Sequence, residues 1–309
     1  MPKLPRSLLH VSSVGSSMSR DRSEYKVILV TAGWGVTGSA IVRRLCQDGV
    51  EVRALVSGRR NADRLRAYGS DVAVGDIEDD SVVRRALRHI SAVYLIVPNF
   101  SLNERDVARR VIDLSQDAGV ERIIYHSVLR PHIEAMPHHW AKMRVEEYLY
   151  SCAVPYTILQ PCAYMDNIGR SLDTIISTGH YLSYWGPSAE LSLVDLDDVA
   201  EAAAVVLLME GHDHASYELC GPQPLTAIEM ARLIGAQLGR SIEVLTTMPR
   251  LANPTENERE IYTAQCFRRM CSDYQEHGFK GSDTTLRMLL GRQPHTFEEY
   301  LSRMSWPVA

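Results

Sequence analysis

A run of apolar residues, Val27-Ile28-Leu29-Val30, passes directly into Thr31-Ala32-Gly33-Trp34-Gly35-Val36-Thr37-Gly38. No other stretch narrows the choice of fold as much. The run is short and β-branched, which suits a strand buried on both faces. The glycines after it have the spacing G-x-G-x-x-G, and a helical stretch over 38–48 follows and stops at Gly49. A strand that turns into a helix this tightly needs residues without Cβ. The helix N-terminus then presents unpartnered N–H groups and the positive end of its dipole. Such a turn cradles a dinucleotide pyrophosphate, and its third glycine lets helix and strand pack closely.

The same rhythm continues. Strands are expected at 50–56, 72–74, 92–97, 122–126 and 156–159, with helices near 61–68, 79–88, 103–117 and 137–152. Strands alternating with helices predict a parallel sheet covered on both faces, and right-handed crossovers leave the doubly wound Rossmann order as the leading topology. Past Pro161 the rhythm loosens. A loop-rich stretch to Glu190 precedes a helix at 195–210, a strand at 217–220 and a helix at 227–238 that Thr226 and Glu229 can cap as a pair. The expected organisation is a disordered tail over 1–24 and an NAD(P)-binding Rossmann domain over 25–160. Residues 161–309 form mostly a smaller C-terminal substrate lobe, with sheet elements returning near 190–222.

Composition removes several classes. Lys and Arg number 33 against 38 Asp and Glu, a net charge of −5, which gives no basic surface for nucleic acid. The longest stretch without formal charge, 148–165, contains Pro155 and Pro161 and is a poor membrane span. The six cysteines form no C-x-x-C pair and no zinc spacing, which fits reduced thiols in a cytosol-like compartment. His132, His138 and His139 have no carboxylate or thiol at partner spacing, so no metal is expected. The Ser-rich, basic segment 1–24 reads as a tail, with organelle targeting as the alternative.

A nicotinamide site that prefers NAD places an acid at the end of the second strand to hold the ribose 2′-OH. Here that region reads Ser57-Gly58-Arg59-Arg60, with no acid. Guanidinium groups there suit a 2′-phosphate, so NADP(H) is expected over NAD(H). Gly75-Asp76 follows the third strand. Asp76 either accepts a bond from the adenine amino group or caps the helix beginning near Asp79. Val97 closes the fourth strand, beside the turn.

The stretch 30–42, Val52-Arg-Ala-Leu-Val56, Gly75-Asp76, Val154-Pro-Tyr-Thr-Ile-Leu-Gln-Pro161 and Tyr217-Glu-Leu-Cys-Gly-Pro222 together resemble the NmrA-like family, atypical members of the short-chain dehydrogenase/reductase group. The resemblance covers roughly 26–240. It implies a Rossmann domain, a smaller substrate lobe and bound NAD(P). The chain departs from the family twice. In register with the family's G-x-x-G-x-x-G, the first glycine falls on Ala32 and Gly33 takes the next slot, so the tight turn is expected to keep its glycine displaced by one residue. Where NADP-preferring members carry Arg directly after the second strand, this chain has Ser57, and Arg59 or Arg60 must substitute.

The wider group uses Ser, Tyr and Lys, with Tyr and Lys four apart on one helix. Ser127 follows the fifth strand and Lys142 lies on helix 137–152, but four residues before Lys142 stands His138. At helical spacing Lys142 aligns with His138, Val145 and Leu149 on an apolar stripe. It is therefore expected to point inward and hold the nicotinamide ribose, or else to snorkel at the rim or pair with Glu146. His138 is a candidate proton donor, and Ser127 a substrate or nicotinamide contact. Tyr164, Asn167 and Trp185 are candidate walls of the substrate pocket. The expected activity is an NADPH-dependent reduction of a small apolar carbonyl, enone or quinone. The alternative is an NAD(P)-binding redox-sensing regulator that docks a protein partner without turnover.

Overall fold

Thr31, fully buried, marks the point around which the molecule is arranged. Its hydroxyl donates to the Ile96 carbonyl and accepts from the Ile96 amide, both at 2.7 Å. That pair of hydrogen bonds pins the end of the first strand to the end of the fourth, where the winding of the sheet reverses. In the computed structural model residues 27–249 and 257–306 are described. The expected tail over 1–24 lies outside them.

The first part of the chain alternates as expected. It runs β1 (Ile28–Val30), α1 (Val36–Gln47), β2 (Val52–Val56), α2 (Ala62–Arg66), β3 (Asp71–Val74), α3 (Asp80–Ala86), β4 (Ala92–Leu95), α4 (Glu104–Asp117), β5 (Arg122–His126), α5 (Pro137–Tyr150) and β6 (Tyr156–Pro161). Then come β7 (Ala163–Tyr164), α6 (Leu172–Thr178), β8 (His180–Ser183), β9 (Leu191–Val194), α7 (Leu196–Leu208), β10 (Ala215–Leu219), β11 (Pro224–Leu225), α8 (Ala227–Leu238) and β12 (Glu243–Thr246). The last helices are α9 (Glu258–His277), α10 (Thr284–Leu290) and α11 (Phe297–Arg303).

Seven parallel strands form the main sheet in the order β10-β6-β5-β4-β1-β2-β3. This is the doubly wound Rossmann order with one strand added at the β6 edge. Every residue of β1, β4 and β5 is buried, as strands covered on both faces require. One face packs on α3, α4 and α5 through residues such as Val83, Val111 and Leu149. The other packs on α1 and α7 through Ile41, Leu45, Val199 and Ala203, and that core continues into α8, α10 and α11.

Two expectations need correction. The loop-rich stretch 161–190 contains β7, α6 and β8, elements too short for a periodic signal and punctuated by Gly179 and Gly186, both at positive φ. The strand expected at 217–220 begins at Ala215 and is the seventh strand of the main sheet, with Tyr217 opposite Leu159. The last segment is tied down by charge. Arg292 reaches Asp198 at 2.8 Å and Glu201 at 2.5 Å, and Arg303 pairs with Asp195 at the start of α7. Among the described residues no helix is long and apolar enough to cross a membrane. All six cysteines are free thiols.

Candidate functional site

The glycine turn sits at the carboxyl end of β1, between β2 and β4. Its left-handed residue is Ala32, with φ 48°. This corrects the expectation that the turn's glycine has moved by one. Gly33 is required for room instead: a Cβ on it would stand 2.8 Å from the Cβ of Ala54 on β2. Gly38 is the tightest of the three, since a Cβ there would lie 2.3 Å from the Ala32 carbonyl oxygen and 2.9 Å from Gly33 Cα. Gly35 is the N-cap of α1 at φ −56° and ψ 161°, and among the described residues no side chain caps the helix. Gly35 and Val36 are exposed. The first intrahelical bond runs from the Ser39 amide to the Gly35 carbonyl at 2.8 Å, so the amides of Val36, Thr37 and Gly38 point outward without an intrahelical acceptor. The residues present fit a diphosphate.

Ser57, Arg59 and Arg60 follow β2 on the open rim beside this turn, all exposed, with Arg59 and Arg60 in a single 3₁₀ turn. A third guanidinium joins them: Arg64 on α2 lies over the Trp34 ring at 5.4 Å from its centroid. Asp76 is exposed, and its Oδ1 accepts from the Glu78 amide at 2.9 Å. It does not cap α3. Asp79 does, accepting from the Ser81 amide at 2.8 Å. Arg259 at the start of α9 reaches Glu78 at 3.3 Å, so the C-terminal part of the chain touches this rim. Val97 is buried where β4 ends.

On the other side of the switch point the side chains are committed to one another. Lys142 is 5% exposed. Its Nζ donates to Glu104 Oε1 at 2.7 Å and to the His126 carbonyl at 3.2 Å, and lies 5.4 Å from the Tyr125 ring centroid. The inward stripe of α5 is therefore real, and the partner is Glu104 from α4 rather than Glu146. The other Glu104 oxygen, Oε2, is buried with no hydrogen-bond partner among the described residues, while Oε1 also accepts from Tyr125. The Ser127 hydroxyl donates to Glu146 Oε1, and Gln160 Nε2 holds both Glu146 oxygens at 3.0 and 2.9 Å. Burial pushes the Glu146 pKa up, while the bonds from Ser127 and Gln160 pull it down. With its proton so committed, Ser127 has only lone pairs to offer a ligand.

His138 is buried against Phe100, with ring centroids 4.8 Å apart. Burial, with the charge of Lys142, holds its pKa well below the ordinary 6.5. Burial thus disfavours the imidazolium form that a proton donor at this position would use. His139 behaves alike and falls to about 4, burial being the main cause. Phe100 also meets Phe267 of α9, which meets Tyr184, so rings from four parts of the chain gather above the carboxyl ends of β4 and β5. Trp185 is half-buried, and its Nε1 is buried without an acceptor among the described residues. Asn167 is exposed in the 3₁₀ turn Met165–Arg170, away from the buried bonds.

Tyr164 enters a network that the sequence did not reveal. His126, buried at the end of β5, has Tyr94 Oη 2.8 Å from Nδ1 and Tyr164 Oη 2.6 Å from Nε2. Burial raises the Tyr164 pKa above its usual range. The neighbouring Thr37 hydroxyl, in the first turn of α1, opposes that rise. Tyr164 thus joins the glycine turn to the side-chain cluster. Glu104, His126, Tyr94 and Arg64 were all missed as site residues. Glu104 looks in sequence like an ordinary acid of a helix's first turn, and its partner lies 38 residues away.

The sheet order and the cradle at the reversal point define an α/β protein of the Rossmann class. More particularly, the chain belongs to the NmrA-like family, whose model matches residues 24–301. An NAD(P)H azoreductase of Xenophilus azovorans is 27% identical over 221 residues, 70% of this chain and 75% of that protein. An NADPH-dependent quinone oxidoreductase from Escherichia coli, solved with NADPH, superposes with a TM-score of 0.76 at 22% identity, covering 89% of this chain and 98% of the other. NmrA, a negative transcriptional regulator solved with NADP, superposes at 0.75 with 18% identity over 90% of this chain and 95% of its own. Likeness of that degree establishes the fold.

Proposed function

We propose that the chain is an NADP(H)-dependent oxidoreductase that reduces a small apolar carbonyl, enone or quinone. The observation that carries this reading is a buried ammonium, Lys142, held by Glu104 and by the backbone carbonyl at the carboxyl end of β5. A purely structural lysine rarely occupies such a place, because desolvating it costs more than an exposed pair returns. The azoreductase and quinone reductase relatives support the same class of chemistry.

The diphosphate would rest on the amides of α1, and the 2′-phosphate would meet Arg59, Arg60 and Arg64. The cofactor, when bound, supplies the hydride. Lys142 has three N–H donors, of which Glu104 and the His126 carbonyl occupy two. The third is free to reach the nicotinamide ribose and to stabilise negative charge on a substrate oxygen. Glu104 fixes the ammonium in place. His138, Phe100, Phe267 and Tyr184 offer an apolar wall to a substrate ring. Since His138 is neutral and Ser127 faces Glu146, water supplies the proton.

That lack of a resident acid also favours a second reading, a sensor that binds NAD(P) and a protein partner without turnover, as the regulator NmrA would suggest. The two are separated by protein-dependent oxidation of NADPH across a panel of quinones, enones, azo dyes and aldehydes. Turnover lost in Lys142→Met with NADPH affinity nearly kept is the enzyme's signature. No turnover with any member of the panel selects the sensor.

A further inference from the structure

His126 carries a phenol on each ring nitrogen, and the burial of one phenol fixes the direction of the other. Burial, with the charge of Lys142, brings the His126 pKa down to about 3, so the ring is neutral and holds a single proton. Tyr94 is fully buried, and its hydroxyl has His126 Nδ1 as its one hydrogen-bond partner among the described residues. An O–H in that position must donate to Nδ1. If Nδ1 held the proton instead, the Tyr94 hydrogen would be buried with no acceptor, the more costly arrangement. Nδ1 therefore accepts, and the ring's proton resides on Nε2, from which it donates to Tyr164 Oη at 2.6 Å.

The hydrogen of Tyr164 cannot then point back at His126. The Thr37 hydroxyl, in the first turn of α1, bonds the same oxygen and pulls its pKa down, as a donor does, so the hydrogen of the half-buried Tyr164 points away from both. Thr37 belongs to the turn that carries the three amides without an intrahelical acceptor.

We propose that Tyr164 is an aimed hydrogen-bond donor to a phosphate oxygen of the dinucleotide at the α1 N-terminus, and that Tyr94, acting through the His126 tautomer, sets its aim. Tyr94 and His126 are positioning residues, since neither reaches the ligand. The inference rests on the cofactor reading above and adds to it a residue outside the glycine turn.

Two measurements test it. Long-range ¹H–¹⁵N correlation spectra of the ring-labelled protein report the His126 tautomer. A proton on Nε2 is expected, and one on Nδ1 would overturn the assignment. The second compares wild type and Tyr164→Phe in their binding of NADPH and of adenosine 2′-monophosphate, a fragment without the diphosphate. The variant should bind NADPH roughly ten- to a hundredfold more weakly, as for a bond to a charged acceptor, and bind the fragment unchanged. Undiminished NADPH affinity in Tyr164→Phe overturns this inference alone. Equal weakening for both ligands shows a general loss of the site and overturns it too. A wild type that binds neither NADPH nor NADH sinks the cofactor reading, and this proposal with it.

Discussion

The two sides of the switch point are built on opposite terms. On the β1–β2–β3 side the backbone does the work: three glycines, outward amides and exposed arginines beside an open rim. On the β4–β5 side the side chains do, and most are already committed. Lys142 is joined to Glu104, Ser127 to Glu146 and Gln160, and His126 to two tyrosines. The first side waits for a charged ligand in solvent. The second is a prearranged, desolvated network whose parts hold each other's orientation. A cradle of the first kind tolerates change at its rim but not at its turn. A network of the second kind loses much when any one buried partner is removed.

The largest effect should come from the turn. Gly38→Ala places a methyl against the Ala32 carbonyl and the Gly33 backbone, where neither neighbour is a flexible side chain. Dinucleotide binding should fall more than a hundredfold by NADPH fluorescence, as expected when close backbone approach is lost. Gly35→Ala, which meets only the Ala32 oxygen at 3.3 Å and keeps an ordinary φ, should retain the fold. If the two variants fall alike, the turn is not graded as the packing indicates.

Next is the network. Glu104→Ala leaves the Lys142 ammonium buried without its carboxylate, and removing one member of a buried pair costs about 3–5 kcal/mol. Urea unfolding at pH 7 should show that loss. A cost below about 1 kcal/mol would mean the ammonium finds water there, and the contrast between the two sides would weaken.

The histidines give this side a pH dependence just below neutrality. In His126, His138 and His139 burial holds the folded pKa below the ordinary 6.5, to about 3 in His126 and about 4 in His139. The unfolded chain takes up protons below about pH 6.5 that the folded chain refuses. Stability is therefore full above that pH and is lost as pH falls through the window toward 4, at about 1.4 kcal/mol per pH unit for each ring. Unfolding midpoints at pH 7.5, 6 and 5 check the slope, and a flat profile would show that the rings protonate in place.

The rim should respond more mildly. Arg59→Ala/Arg60→Ala should weaken NADPH by roughly 1.5–3 kcal/mol, ten- to a hundredfold, and leave NADH unchanged. Equal affinities for the two dinucleotides in wild type would end the 2′-phosphate assignment. The smallest effect is a gain. Ala32→Gly relieves a left-handed φ of 48°, worth about 1–2 kcal/mol against the extra chain entropy of glycine at about 0.5–1 kcal/mol. The melting temperature should rise by a degree or more.

What could be read from the sequence divides along the same line. The cradle is local: a strand, a turn and a helix within about twenty residues, each signalled by composition and spacing. The parallel sheet was legible for the same reason, and so was the inward face of Lys142, which follows from helical period alone. The partners were not legible. Glu104 and Lys142, Ser127 and Glu146, Tyr94 and Tyr164 are brought together by crossovers, and no spacing rule connects them. The burial of His138 was not legible either, since a residue at a helix's second position gives no sign that Phe100 will cover it. Ala32 shows a further limit, because a turn written with alanine where glycine is usual can still adopt the left-handed backbone.

β10 also has a consequence for how the chain is made. It completes the sheet beside β6, yet it is synthesised about 60 residues later, after α7, which covers α1, has also emerged. At roughly 5–20 residues per second a ribosome needs several seconds to bridge that interval. During it β6 has a bare edge and α1 an uncovered apolar face, the state in which nascent chains pair with each other or recruit chaperones. Expression truncated at residue 160 would make that interval permanent.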